Sequence, residues 1–430
     1  MFGQELNEET YAVCRSDMML KGQDASHIVQ GNSFDADGHA GRQFDYMLAN
    51  PPFGVEWKSV ERFVRDERER LGFRGRFGAG LPPVGDGSLL FVQHMVSKFH
   101  GDGRPSRLAV VLSGSSLFSG GAGSGPSEIR RWIIENDWLE AIVGLPEQLF
   151  YNTGINTYVW IITNRKAPAR RGKVQLIDAT GMFEKMRRSL GNKRNIIPEA
   201  AIREITRLFG EMAEGEHSKV FDNEDFGYWR ITVERPLRLS FAITPERIEA
   251  VKVTSAFRAL GTSRKKGAAG AEEVEQGQAL QAAVLAALEG ATGEAVWRDR
   301  DSFAVYLKKL LAKAGVKVAT PLFNAVLAAL GDRDESAEPC RRGHGFEPDA
   351  DLRDTENVPL KEDIRAYFER EVLPHTPDAW VDEDKTRKGY EVPFTRTFYR
   401  YVPPRPLAEI DADLRRLSAE IQGMLREAAA

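Results

Sequence analysis

The tetrapeptide Asn50-Pro51-Pro52-Phe53, directly after the apolar run Phe44–Ala49, is what most constrains the fold of this chain. Consecutive prolines lack the amide hydrogen and hold φ near about −65°, so they cannot extend a sheet ladder. A strand therefore ends there in a rigid turn. Around it the pattern alternates. Asn7, followed by Glu8 and Glu9, reads as a helix cap, with Tyr11, Cys14 and Met18 at helical spacing behind it. Leu89, Val92, Val96 and Phe99 share one face of a helix over Ser88–Phe99. Arg107–Leu112, Leu139–Gly144 and Tyr158–Thr163 are strand-sized, and Ser127–Asn136 is a helix. Strands alternating with helices predict an α/β fold with a mostly parallel sheet. Ligands of such sheets bind outside the carboxyl ends of strands, where this turn falls.

The turn either simply ends the strand or serves a particular chemistry. Methylating an exocyclic amine on an aromatic ring requires its delocalised lone pair to be drawn toward tetrahedral character. Two acceptors aimed at the amine hydrogens do this: the side-chain oxygen of Asn50 and the carbonyl of Pro51. The prolines fix the backbone beforehand, so neither acceptor has to be ordered during reaction. Phe53 offers a face for the substrate ring, and a base taken from duplex DNA would first have to be flipped out.

Composition excludes several classes. With 42% hydrophobic and 28% charged residues among 430, the chain is neither disordered nor collagen-like. Its longest apolar runs, such as Leu108–Leu112, fall far short of the roughly 18 residues of a membrane span. Cys14 and Cys340 cannot build a disulfide framework and no basic-then-apolar leader opens the sequence, so the cytoplasm is expected. Cys340 and His344 are four apart without a second pair, so no metal site is expected. The net charge of −4 gives no overall pull toward nucleic acid. Locally, residues 161–210 hold twelve bases against four acids. That surplus could neutralise several phosphates or simply be a solvated surface.

The tetrapeptide after an apolar strand resembles the catalytic signature of amino-group methyltransferases that use S-adenosylmethionine. More narrowly, Phe2–Asn7, Asp86–Met95 and Leu145–Ile155 are similar to segments of the modification (M) subunit of type I restriction-modification systems, which methylates adenine N6 in DNA. The likeness spans roughly residues 1–165 and weakens toward the end. It implies a class I S-adenosylmethionine-dependent methyltransferase-like (Rossmann-like) sheet, with Asn50, Pro51, Pro52 and Phe53 as catalytic residues. Glu5 would bind the cofactor ribose hydroxyls. Asn32, followed by Ser33, stands where the family commonly has an aspartate on the cofactor adenine. Partners implied are a specificity subunit, a restriction (nuclease) subunit and DNA. Ile155–Thr163 would be one arm of the family's closing hairpin.

The family also binds the methionine part of its cofactor with a glycine-rich loop after a central first strand, and this sequence starts almost at the acidic ribose-binding residue. The sheet is therefore expected to be incomplete, the chain a fragment of a longer or split subunit, and cofactor binding by the chain alone poor. Ser119–Gly125 comes too late in the order to replace that loop and is expected to be a flexible connector. Gly72–Gly78, alternating aromatic, basic and glycine residues, suits a mobile loop closing over DNA or cofactor, or one making no contact. His94 is expected to be a packed helix residue and not a base.

The expected organisation is a partial catalytic domain over 1–165, a basic mixed α/β extension over 166–260, a linker and α-rich region over 261–402, and a coiled-coil-like partner helix over 403–430. Within the third, Gly261–Gly293 reads as a linker enclosing a helix, and Gly331–Asn357 as a polar surface loop or partly disordered segment. In the fourth, Leu407, Ile410, Leu414, Leu417, Ile421 and Met424 recur at 3-4-3-4-3 spacing. A seam that short needs a partner helix, or packs on its own domain. Two other functions fit the residues: a non-catalytic assembly module that keeps the partner surface, and a methyltransferase acting on a protein glutamine or an RNA base.

Overall fold

The computed structural model describes residues 1–343, 345–401 and 403–428. His344, weighed above with Cys340 as a metal ligand, lies outside them. The chain divides into two units, residues 1–227 with 389–430 and residues 228–388.

The first unit is built on a six-stranded mixed sheet in the order β10-β7-β5-β6-β4-β3. β1 (Gly3–Glu5) and β2 (Ile28–Gln30) pair in parallel as a separate ribbon. β3 (Tyr46–Ala49) pairs in parallel with β4 (Arg107–Ser113) and forms the edge of the larger sheet. β6 (Thr157–Thr163) runs antiparallel between β4 and β5 (Leu139–Leu145), which is the closing hairpin expected from the sequence. β7 (Lys173–Asp178) adds in parallel to β5; β8 (Glu184–Leu190) and β9 (Lys193–Ile196) form a separate hairpin; β10 (Ser218–Asp222) closes the far edge. All seven residues of β5 are buried, as befits a strand covered on both faces. The other edge is different. Tyr46 and Leu48, which share one face of β3, are 78% and 86% exposed.

Of the helices, α1 (Glu8–Leu20), α3 (Ser88–Val96) and α5 (Gly125–Glu135) form where the sequence places them, with ends shifted by up to three residues; α2 (Glu61–Leu71), α4 (Ser115–Phe118) and α6 (Glu199–Glu211) complete the set. Asn7 caps α1 by accepting from Thr10 N at 2.9 Å. Ser119–Gly125 is ordered, contrary to expectation. Ser124 caps α5, and the buried Arg130 donates to the carbonyls of Ser116, Ser119 and Gly120. A Cβ on Gly125 would fall 1.8 Å from the Leu81 carbonyl oxygen, so this glycine serves close packing.

In the second unit, helices including Pro245–Val253, Ala268–Glu289, Arg300–Lys313 and Thr320–Ala329 enclose a core of Phe241, Val284, Leu288, Phe303, Leu307 and Val326. Strand Gly227–Glu234 lies between Asp354–Pro359 and Trp380–Tyr390. Two sequence expectations fail here. Gly261–Gly293 does hold the helix expected inside it, but that helix runs 22 residues with Val284 and Leu288 fully buried, so the segment belongs to the core and is no linker. Its Gly277 abuts the Leu260 carbonyl, where a Cβ would sit at 1.8 Å. Gly331–Asn357 carries short strands and a buried Asp349 paired with Arg333 at 2.6 Å. Ties to the rest of the unit order it without an apolar period: Arg353 pairs with Glu234 at 2.8 Å, and Cys340 N and Asp349 N donate to the carbonyls of Leu237 and Arg235 at 2.8 Å.

Candidate active site

The Asn-Pro-Pro-Phe turn is held by the residues just after it in the chain. Trp57, 2% exposed, donates its indole N–H to the Pro83 carbonyl at 3.0 Å and its backbone N–H to Val84 O at 3.0 Å. Gly87 N donates to Val55 O at 3.0 Å. The chain after Phe53 is thus stitched to the chain before α3. Beneath it, Phe34, Trp57, Val60, Val64, Phe77 and Leu90 form one cluster. Phe34 comes directly after Asn32 and Ser33, so one core carries both the Asn32 segment and the turn.

A cavity of about 960 Å³ opens at the carboxyl ends of β1, β2 and β3. Glu5, Asn32, Ser33, Asn50, Pro51 and Pro52 all line it, though forty-five residues separate Glu5 from Asn50. Oε1 of Glu5 accepts from Asn7 N at 2.8 Å, leaving Oε2 for a ligand. Oδ1 of Asn32 accepts from Phe34 N at 3.0 Å, so what its side chain offers is its amide hydrogens. Glu5, Glu8, Glu9 and Glu56 are in the lining, with no lysine or arginine among the described residues there.

Phe53 is on the other side. It lines a second cavity of about 680 Å³ with Asp86, Ser113, Phe118, Asn152 and Tyr158, while Pro52 and Val55 are common to both cavities. Asp86 accepts from Ser88 N at 3.0 Å and from the Ser88 hydroxyl, which fixes its carboxylate at the rim. Burial pushes the Tyr158 phenol up from its usual range, so it stays protonated. Its ring meets Phe394 edge-on at 5.1 Å between centroids. Asp86 and Asn152 stand in segments that the sequence marks by resemblance, but nothing there assigned them to a pocket. Ser113, Phe118 and Tyr158 carry no sequence signal; the antiparallel pairing of β4 with β6 brings Ser113 and Tyr158 to one end of the sheet, and the short helix α4 after β4 adds Phe118.

The Gly72–Gly78 segment is not a free lid. Arg76, nearly buried, pairs with Glu67 at 2.7 Å and donates to the carbonyls of Ser33 at 2.7 Å and Phe34 at 2.6 Å. Phe77 is fully buried. A guanidinium has five donors in a fixed fork, and these carbonyls and the carboxylate use them, so the segment is a strut under the Asn32 turn. His94 lies against Arg76, its Nδ1 3.1 Å from a guanidinium nitrogen. Burial first, then the Arg76 charge, pushes its pKa down to about 4. It is a neutral packed residue, as the sequence suggested.

The antiparallel β6 inserted between β4 and β5, and a ligand-sized cavity at strand carboxyl ends lined by Asn50, Pro51 and Pro52 with Phe53 on the cavity beyond, define a methyltransferase-type α/β domain. The chain belongs to the N-6 DNA Methylase family, whose model matches residues 1–228. It is 27% identical over 255 residues to the methylase subunit of the type I restriction enzyme MjaIX of Methanocaldococcus jannaschii, across 59% of this chain and 43% of that protein. It is 28% identical over 250 residues to the HindI methylase subunit of Haemophilus influenzae, across 57% of this chain and 51% of that one. Among solved structures it is similar to the methyltransferase subunit of a type I restriction-modification system from Streptococcus thermophilus, at 27% identity and a TM-score of 0.44, over 52% of this chain and 45% of that one. The chain spans about half the length of the curated relatives it matches.

Proposed function

We propose that this chain is the modification part of a type I restriction-modification complex and transfers a methyl group from S-adenosylmethionine to adenine N6 in DNA. The observation that carries the reading is that Pro52 stands between two cavities, one lined by Glu5 and Asn32, the other by Phe53. Such an arrangement suits a cofactor on one side and an extruded base on the other.

The donor chemistry in the larger cavity fits S-adenosylmethionine at its nucleoside end. The free Glu5 oxygen accepts from the ribose hydroxyls, and the Asn32 amide donates to the adenine ring. The cofactor, when bound, supplies an electrophilic methyl group on a sulfonium. The chain's own part is to prepare the acceptor. Asn50 Oδ1 and the Pro51 carbonyl accept the two amine hydrogens and concentrate the lone pair on nitrogen, while the Phe53 ring stacks on the base. No strong base is required, since the amine loses its proton after attack; the neutral His94 is not called upon.

The terminal helix, Leu407–Ala428, supports the assembly half of the reading. Its Leu414 and Leu417 are 56% and 46% exposed along the heptad seam. We assign that seam to the specificity subunit, with the nuclease subunit joining the same complex. The test is transfer of labelled methyl groups by the chain, reconstituted with its specificity subunit, into unmodified duplex DNA. Label in adenine N6, lost in Asn50→Ala, is expected; label in protein or RNA, or undiminished transfer by the variant, contradicts the proposal. A second reading, a non-catalytic assembly module, is favoured by one observation: the larger cavity presents no cation to the cofactor's carboxylate among its described residues. It predicts assembly without any methyl transfer.

A further inference from the structure

Of the twelve bases between residues 161 and 210, the structure sorts nine into different uses. Lys166 and Arg170 are buried, paired with Asp137 and Glu140. Arg203 and Arg207 are neutralised along α6 by Glu199, Glu204 and Glu211. Five others, Lys185, Arg187, Arg188, Lys193 and Arg194, fall on the β8–β9 hairpin with a single acid, Glu184. All but Lys193 are exposed, and among the described residues none of the five makes an ion pair. Lys185 and Arg187 share one face of β8 about 7 Å apart. What sets the hairpin apart is density: other exposed bases of this unit, Arg165 and Arg171 among them, also make no ion pair among the described residues, but here five bases fall within ten residues, a concentrated local field.

The hairpin is joined to the second cavity. Asn192 N donates to Tyr151 O at 2.9 Å, Arg194 N to Gln148 O at 2.9 Å, and the Asn195 amide to Glu147 O at 2.9 Å. Lys193 Nζ lies 5.2 Å from the Tyr151 ring centroid. The same loop continues into Asn152 and Thr153, which line the cavity that Phe53 faces. A ligand gripped by the hairpin is therefore registered to that cavity through a short, hydrogen-bonded segment.

We propose that the β8–β9 hairpin is a phosphate grip for double-stranded DNA, holding the backbone beside the cavity that receives the flipped base. It rests on the function proposed above and adds which surface binds the duplex. Backbone contacts of this kind set register and carry no sequence information, which agrees with a row of bases lacking shaped pockets.

The test is fluorescence anisotropy of the full chain with a labelled DNA duplex across a salt series. Each phosphate contact contributes about 0.9 to the slope of log K against log salt. The Lys185→Ala/Arg187→Ala/Arg188→Ala variant is expected to flatten that slope by about two to three, with an unchanged melting profile. Arg187→Lys/Arg188→Lys, which keeps the charges, is expected to retain it. The matched variant Arg203→Ala/Arg207→Ala, which removes ion-paired charge, is expected to shift it by less than about one. Equal slopes for parent and hairpin variant, an equal shift in the α6 variant, or displacement of the duplex by double-stranded RNA or polyglutamate at lower concentration than by unlabelled DNA would each overturn the proposal. Anisotropy reads binding without methyl transfer, so this inference and the catalytic reading fail by separate observations.

Discussion

At the scale of single residues, the site divides between groups that face the two cavities and groups that hold them. Asn50, Pro51 and Phe53 were legible as candidates because the chemistry proposed for them is written in adjacent positions. Glu5 and Asn32 could be assigned only by resemblance, since nothing local in β1 or β2 says that their ends converge on the turn. Tyr158 was not legible at all: a tyrosine in an apolar strand looks like any core aromatic. His94 yields a pH prediction. An unfolded histidine takes up a proton as pH falls through about 6.5, whereas in the fold burial and Arg76 delay this to about 4. The stabilisation is thus complete above that range and lost progressively as pH falls from 6.5 to 4, by roughly 3 kcal/mol in all. His94→Gln, which keeps an acceptor for Arg76, should flatten the acid side of the stability curve in urea titrations. A curve as steep as the parent's would show that His94 does not contribute.

At the scale of elements, periodicity located the strands β3 to β6 and the helices α1, α3 and α5 to within about three residues, while the short strands β1 and β2 and the strands after Thr163 carried too little pattern to place. The failures share a cause. Ser119–Gly125 was expected to be a flexible connector, Gly72–Gly78 a mobile loop or one making no contact, and the stretch around Gly277 part of a linker enclosing a helix, yet each glycine-rich piece is pinned by a contact from elsewhere in the chain: Arg76 to Ser33, Arg130 to Ser119, Gly277 against Leu260. Composition gives conformational freedom but not the partner that removes it. Arg76 tests this most simply. Arg76→Met would leave Glu67 charged and unpaired under the Asn32 turn, at a cost of about 3–5 kcal/mol. Arg76→Met/Glu67→Leu should recover much of that. A single variant within about 0.5 kcal/mol of the parent would return the segment to the status of a surface loop.

At the scale of the whole molecule, the first unit presents two open strand edges near one cavity, β1 and β3, with Leu48 strongly exposed. Edges of this kind are ordinarily covered in native proteins. The terminal helix is likewise amphipathic and exposed along its seam. Both features match a chain that completes itself in an assembly. Leu414→Asp/Leu417→Asp should abolish co-purification with the specificity subunit without altering the melting of the first unit; undiminished co-purification would remove the helix from the interface.

The proposed chemistry depends on two oxygen atoms. A structure of the chain in its DNA-bound complex, with a target adenine extruded, tests it most directly. The adenine N6 is predicted to lie within about 2.6–3.2 Å of both Asn50 Oδ1 and the Pro51 carbonyl oxygen, with the ring over Phe53. An adenine whose amine lies away from both oxygens would contradict it.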